Sequence, residues 1–201
     1  MFTSKLQEWV RAAARSVVIT LRLAAVSPNV LTLTGLAITA ISAVLIGAGY
    51  LLVGGLVLLV ASAFDILDGA LARVTGKVYR YGAFLDSTSD RYAEGFTFFG
   101  LLFYFLIRQD PPHRLEPMLV ILALTGSLLV SYVRARAQSL GFSCESGLLA
   151  RPERVLIMVA GLAIPPLLIP SLWVLAVLTN VTALQRIVSV WQQSRQTVSE
   201  E

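Results

Sequence analysis

The sequence predicts an all-α integral membrane protein, with six transmembrane helices preceded by an N-terminal amphipathic interfacial helix. Three observations carry that expectation. Of 201 residues, 56% are hydrophobic and 14% are charged, whereas a soluble domain carries about 25% charged residues. Mean hydropathy is +0.76, so a soluble fold of this size would lack the polar side chains to cover its surface, while lipid accepts apolar ones. The apolar runs have spanning length. A bilayer core of about 30 Å takes roughly 20 residues per helix, so six spans use about 120 residues and leave about 80 for loops and ends.

The elements follow in order. Residues 1–25 form a juxtamembrane unit and residues 26–201 a six-helix transmembrane catalytic domain. In the first unit Leu6, Trp9, Val10, Ala13, Val17 and Leu21 recur at helical spacing, with Ser4, Glu8, Arg11, Arg15 and Arg22 mostly on the other side. That is the pattern of a basic helix lying in the interface plane. The arginines interrupt any apolar core of a signal peptide, and no small-residue cleavage site follows. The six spans run from about Val30 to Ala48, Leu51 to Arg73, Gly82 to Ile107, Pro117 to Ala137, Glu153 to Ile169 and Ser171 to Val190. The last two are expected to join at Pro170, with Pro165-Pro166 bending the fifth.

Charge sets the orientation. With an inside N-terminus, fourteen of the sixteen Lys and Arg residues fall on inner segments, and only Arg108 and Arg114 fall outside. Cytoplasmic segments carry such an excess, so both termini are expected in the cytoplasm. The net charge of +4 points to anionic lipid headgroups rather than to nucleic acid. Cys144 and His113 are each alone, which excludes a disulfide, a thiolate metal site and a histidine-rich one. Any catalysis must come from carboxylates, cations and hydroxyls.

Asp65, Asp68, Asp86 and Asp90 lie within or beside apolar helix segments. Carboxylates there are costly and mark function. Asp65 and Asp68 are three apart and Asp86 and Asp90 four apart, so each pair shares a helix face. The connecting loop is short and basic, so the second and third spans are expected to pack as an antiparallel hairpin, with four carboxylates at one depth. Four such charges repel unless protonated or neutralised by cations. Oxygen-only ligands favour Mg²⁺, Mn²⁺ or Ca²⁺. Two divalent ions would balance the charge, and paired ions of this kind act on phosphoryl groups. Gly69, Ala72 and Gly82 either let helices approach or leave room for a flat group. Arg73 either meets a phosphate or anchors the helix end.

These residues carry a resemblance. Asp65-Ile66-Leu67-Asp68-Gly69-Ala70-Leu71-Ala72-Arg73, a gap of eight, then Gly82-Ala83-Phe84-Leu85-Asp86-Ser87-Thr88-Ser89-Asp90 resembles the signature of the CDP-alcohol phosphatidyltransferases at every fixed position. The resemblance implies transfer of a phosphatidyl group from CDP-diacylglycerol to an alcohol, with release of CMP. It implies that Asp65, Asp68, Asp86 and Asp90 surround two Mg²⁺ ions, with Mn²⁺ as the alternative, and that Asp90 is the general base. It implies that Asp68, Gly69, Ala72, Arg73 and Gly82 border the CDP-lipid. Asn29 and Thr32, in Pro28-Asn29-Val30-Leu31-Thr32, are similar to a further nucleotide-contacting element of the family. A homodimer is expected from the resemblance alone.

A second group of cations bears on the acceptor. Arg134, Arg154 and Arg186 come from three different spans toward the same side as the acids, and arginine forks suit a phosphate dianion. Arg136 and Arg151 lie nearby without an assigned role. Ser131 to Ala137, Arg151-Pro152-Glu153-Arg154 and Leu184-Gln185-Arg186 look like the subfamily of phosphatidylinositol-phosphate synthases. That likeness implies a phosphorylated acceptor, foremost myo-inositol 1-phosphate, held by Arg134, Arg154 and Arg186. Glycerol 3-phosphate, giving phosphatidylglycerophosphate, is the nearest rival. Glu94 continues the Asp86–Asp90 face and either supports the metal shell or bonds a neighbour. A cation-coupled transporter is the reading from a different class, but its site would sit near the midplane within inverted repeats, which the sequence lacks.

Overall fold

The computed structural model describes residues 26–76, 79–108, 115–144 and 147–198, together with Ser16. The interfacial helix expected over residues 1–25 lies outside them except for Ser16, which is helical and exposed. Lys77, His113 and Arg114 also lie outside. The described residues form six α-helices and no strands: α1 (Pro28–Gly47), α2 (Leu51–Thr75), α3 (Arg80–Phe103), α4 (Glu116–Ser139), α5 (Arg151–Ala163) and α6 (Leu168–Val198). A π-helical turn, Tyr104–Arg108, continues α3, and a 3₁₀ turn, Pro165–Leu167, joins α5 to α6.

Local chemistry explains the boundaries. Pro28 opens α1 after extended Ser27, where its missing N–H costs nothing and its φ is already helical. Gly76, at φ +68°, closes α2 in the left-handed region, which admits glycine without strain. Pro117 and Pro152 stand in the first turns of α4 and α5. The fifth and sixth helices part at Pro165-Pro166 rather than at Pro170. Proline inside a helix loses one backbone bond and clashes with the carbonyl four residues back. Two in succession therefore end α5 at Ala163, whereas Pro170 sits harmlessly in the first turn of α6.

Among the described residues, four stretches are long and apolar enough to cross a membrane: α1, α2, α4, and Pro165–Arg195, which holds most of α6. The other two helices carry more charge for their length. Arg80, Asp86, Asp90, Arg91 and Glu94 lie on α3, and α5 has 13 residues with Arg151, Glu153 and Arg154 in its first turn. The surface is rich in large apolar side chains, among them Val44, Met118 and Leu184. Lipid gives helices no hydrophobic drive to associate, so close backbone approach must hold them together. Glycine supplies it. A Cβ on Gly100 would lie 2.4 Å from the Ala43 carbonyl oxygen of α1, and one on Gly126 would lie 2.0 Å from Thr179 Oγ1 of α6.

Helix α1 is central to the site half of the bundle, packing against both α2 and α3. The hairpin expected from the sequence does not close, since α2 and α3 make at most slight contact with each other. Joining them would force four carboxylates together. Held apart on α1, they leave a cleft into which α5 brings arginine.

Candidate active site

Asp65 and Asp68 lie on the last turns of α2, and Asp86 and Asp90 on the first turns of α3. One carboxylate oxygen each from Asp65, Asp68 and Asp86 lies within 4.8 Å of the others. Asp68 is 5% exposed, and its Oδ2 accepts a bond of 2.5 Å from the Thr32 hydroxyl of α1. Three converging hard oxygen donors, with like charges in a partly buried site, fit a divalent cation better than any other resident.

Asp90 lies outside that trio and is tied to it by a cation. Arg151, at the first turn of α5, directs Nη1 to Asp65 Oδ2 at 2.5 Å and to Asp90 Oδ1 at 2.7 Å. Arg91 Nη1 lies 3.4 Å from Asp90 Oδ2. Sequence reasoning gave Arg151 no role. A basic residue at a helix start reads equally as a topology anchor, and only the approach of α5 to α2 shows which acids it meets.

The residues expected around the nucleotide gather in pairs. Asn29, at the start of α1, meets the start of α3: a Cβ on Gly82 would lie 3.2 Å from Asn29 Oδ1. Thr32 pairs with Asp68. Around Gly69 the nearest atom to an added Cβ is Arg73 Nη2 at 3.6 Å, so the backbone there stays approachable. Ala72 is half-buried and Arg73 exposed.

Two of the three arginines are buried. Arg154 and Arg186 are 5% and 6% exposed, Arg134 is exposed, and both Arg134 and Arg154 lie within electrostatic range of Arg186. Arg186 donates from Nη1 to the Val130 carbonyl of α4 at 2.5 Å. Gly147 of the α4–α5 loop passes so close to α6 that a Cβ would strike Thr182 Cγ2 at 2.5 Å and lie 3.3 Å from Arg186 Nε. Gln193 holds that loop, accepting from Ser143 N at 3.1 Å and donating to its carbonyl at 2.8 Å. Arg136 is exposed and bonds Ser139.

Glu94 takes the second of its two sequence-level readings. Arg154 donates from Nε to Glu94 Oε1 at 3.0 Å and from Nη2 to the same oxygen. Its Nη1 lies 3.4 Å from the Leu149 carbonyl. Beneath the acids runs a cavity lined by Asp65, Asp90, Glu94, Arg151, Arg154 and Ser127, and closed by apolar side chains including Phe98 and Met158.

Comparison with known proteins agrees with this arrangement. Residues 25–191 match the family profile of the CDP-alcohol phosphatidyltransferases. The chain is 35% identical over 176 residues to the phosphatidylinositol phosphate synthase of Mycobacterium tuberculosis, covering 82% of this chain and 79% of the relative. It is 36% identical over 177 residues to the archaetidylinositol phosphate synthase of Methanothermobacter thermautotrophicus, covering 84% and 85%. A crystal structure of the M. tuberculosis phosphatidylinositol phosphate synthase with CDP-DAG bound matches with a TM-score of 0.78 at 33% identity, over 89% of this chain and 93% of that one. The same protein in complex with manganese and citrate matches with a TM-score of 0.80, also at 33% identity, over 89% and 88%.

Proposed function

The chain belongs to the CDP-alcohol phosphatidyltransferase family, and from that premise we propose that it transfers a phosphatidyl group from CDP-diacylglycerol to myo-inositol 1-phosphate. The products are phosphatidylinositol phosphate and CMP. One observation carries the reading: three aspartates converge as a metal-held pyrophosphate needs, and Asp65 shares a cavity with Arg154, whose charge acts on Arg186 as a pocket for a separate phosphate needs.

Asp65, Asp68 and Asp86 hold a divalent cation, and Asp90 completes a pair of Mg²⁺ sites with them. Bound there, the ions neutralise charge on the phosphoryl oxygens and on departing CMP. Thr32 orients Asp68. Asn29, Gly69, Ala72, Arg73 and Gly82 border the nucleotide. Arg134, Arg154 and Arg186 hold the acceptor phosphate and so place its hydroxyl near Asp90. That hydroxyl oxygen bonds to the phosphorus bearing the diacylglycerol, the bond from that phosphorus to CMP breaks, and Asp90 accepts the hydroxyl proton. Arg151 fixes the Asp90 carboxylate in the cleft.

The protein is a membrane enzyme. In this proposal six helices span the bilayer, the short α5 together with the 3₁₀ turn Pro165–Leu167 that follows it. Residues 1–25 lie in the interface before the catalytic domain of residues 26–201. Both termini and the site face the cytoplasm, so the lipid stays in the bilayer while the polar acceptor enters from water. The chain works as a homodimer.

The purified protein with CDP-diacylglycerol and Mg²⁺ should release CMP with inositol 1-phosphate. Glycerol 3-phosphate, free inositol and serine should give little, and chelation should abolish release. Asp90→Asn should lower turnover about 10²- to 10⁴-fold without loss of the folded protein. Preference for glycerol 3-phosphate would redirect the acceptor reading, and CMP release unaffected by chelation would overturn the metal-dependent mechanism.

A further inference from the structure

Three buried polar atoms of residues lining the cavity beside the acids have no partner: Glu94 Oε2, Ser127 Oγ and Arg151 Nε. The Glu94 side chain is 9% exposed and Ser127 1%. All three residues share that cavity with Asp65 and Asp90. A buried polar group without a hydrogen bond costs free energy, so such groups are rare unless something supplies the bond.

Ser127 departs from its neighbours. The buried hydroxyls of Thr39, Thr97 and Thr179 each donate to the backbone carbonyl four residues back, at 2.9, 3.0 and 2.7 Å. That bond is the usual refuge of a hydroxyl within a helix, and Ser127 does not take it. Glu94 departs in another way. Both donors that Arg154 sends it reach the same oxygen, so the carboxylate is neutralised while Oε2 keeps its capacity to accept.

The vacant bonding capacity has a definite chemistry. Glu94 Oε2 accepts only, while Ser127 Oγ accepts or donates. Arg151 Nε donates only. A ligand hydroxyl satisfies any of the three. Arg151 and Arg154 are already paired with Asp65, Asp90 and Glu94, so an anion in this cavity would face more carboxylates than cations. The remaining wall, with Leu36, Phe98 and Met158, suits the C–H face of a saturated ring.

We propose that Glu94 and Ser127 form the floor of the acceptor site and read the non-reacting hydroxyls of a polyhydroxylated ring. This rests on the reading of a phosphorylated acceptor given above, and it assigns the part of the site that distinguishes inositol phosphate from a shorter polyol phosphate. It also gives Glu94 two functions, fixing Arg154 with one oxygen and binding a hydroxyl with the other.

The test uses the full-length protein in detergent, assayed for CMP release with CDP-diacylglycerol and inositol 1-phosphate. Ser127→Ala should raise KM for inositol phosphate about 3- to 10-fold, and Glu94→Gln about 10- to 100-fold, as loss of a neutral and of a charged hydrogen bond implies. KM for CDP-diacylglycerol should hold. Thermal stability separates function from structure. Ser127→Ala removes an unsatisfied hydroxyl, so without acceptor its Tm should equal or exceed that of the parent. Inositol phosphates lacking one ring hydroxyl should lose affinity for the parent, and for one of them the loss should vanish in Ser127→Ala. Unchanged KM in both variants would overturn the floor and leave water as the partner of both groups. A lowered Tm with unchanged KM would overturn it in favour of a packing role. Should the parent use glycerol 3-phosphate alone, the acceptor reading fails and a floor that reads a ring fails with it, whereas unchanged KM in an enzyme that uses inositol phosphate overturns the floor alone.

Discussion

Arg154 is buried, and its fork is committed to Glu94 on one edge, which leaves Nη1 as the donor least engaged. The geometry makes two substitutions behave differently. Arg154→Ala strands Glu94 as an unpaired buried charge, at a cost of about 3–5 kcal/mol, and thermal unfolding should register it. Arg154→Lys keeps the charge but loses the fork. It should raise KM for the phosphorylated acceptor about tenfold or more, with KM for the CDP-lipid held. An equal rise in both constants would remove Arg154 from the acceptor pocket. At this scale the acids were legible in the sequence because carboxylates in apolar helices stand out against their surroundings. The partners of Arg151 and Glu94 were not, because Asp65 and Arg151 are 86 positions apart.

Between elements, α1 holds α2 and α3 apart and carries Thr32 to Asp68. Gly100 sets how near α3 comes to α1, with backbone rather than a flexible side chain opposite it. Gly100→Val must therefore move a helix, which costs about 1–3 kcal/mol or more. It should lower Tm and, by displacing Asp86 and Asp90 from Asp65 and Asp68, lower metal affinity and turnover together. Gly95, on the same helix with nothing within 4 Å of an added Cβ, is the control: Gly95→Ala should leave Tm unchanged or raise it by the usual helix preference. Similar losses in both variants would show that helix propensity, not approach, governs this interface. The helix starts were legible, the first five within two residues of expectation. The junction of the last two was not, because the sequence offers proline at 165, 166 and 170, and only position within the turn decides which one breaks a helix.

Over the whole molecule, many large apolar side chains are exposed while Asp68, Arg154, Arg186 and several hydroxyls are buried beside an apolar core. Topology is testable because Cys144 is buried, at 1% exposure, and should react slowly with an impermeant maleimide. In sealed right-side-out vesicles Leu115→Cys should label and Ser16→Cys should not, with the pattern inverted in inside-out vesicles. Labelling of both from one side would refute the proposed orientation. The sequence by itself determined the membrane class, the all-helical fold and the acid signature, since composition, run length and fixed spacing are local quantities. Tertiary structure decided that the acids divide into a trio and a fourth bridged by Arg151, that Glu94 belongs to Arg154, and that Glu94 Oε2, Ser127 Oγ and Arg151 Nε are without partners around one cavity. Those outcomes depend on where distant helices meet, and helix packing is set by the summed fit of many contacts that no short segment encodes.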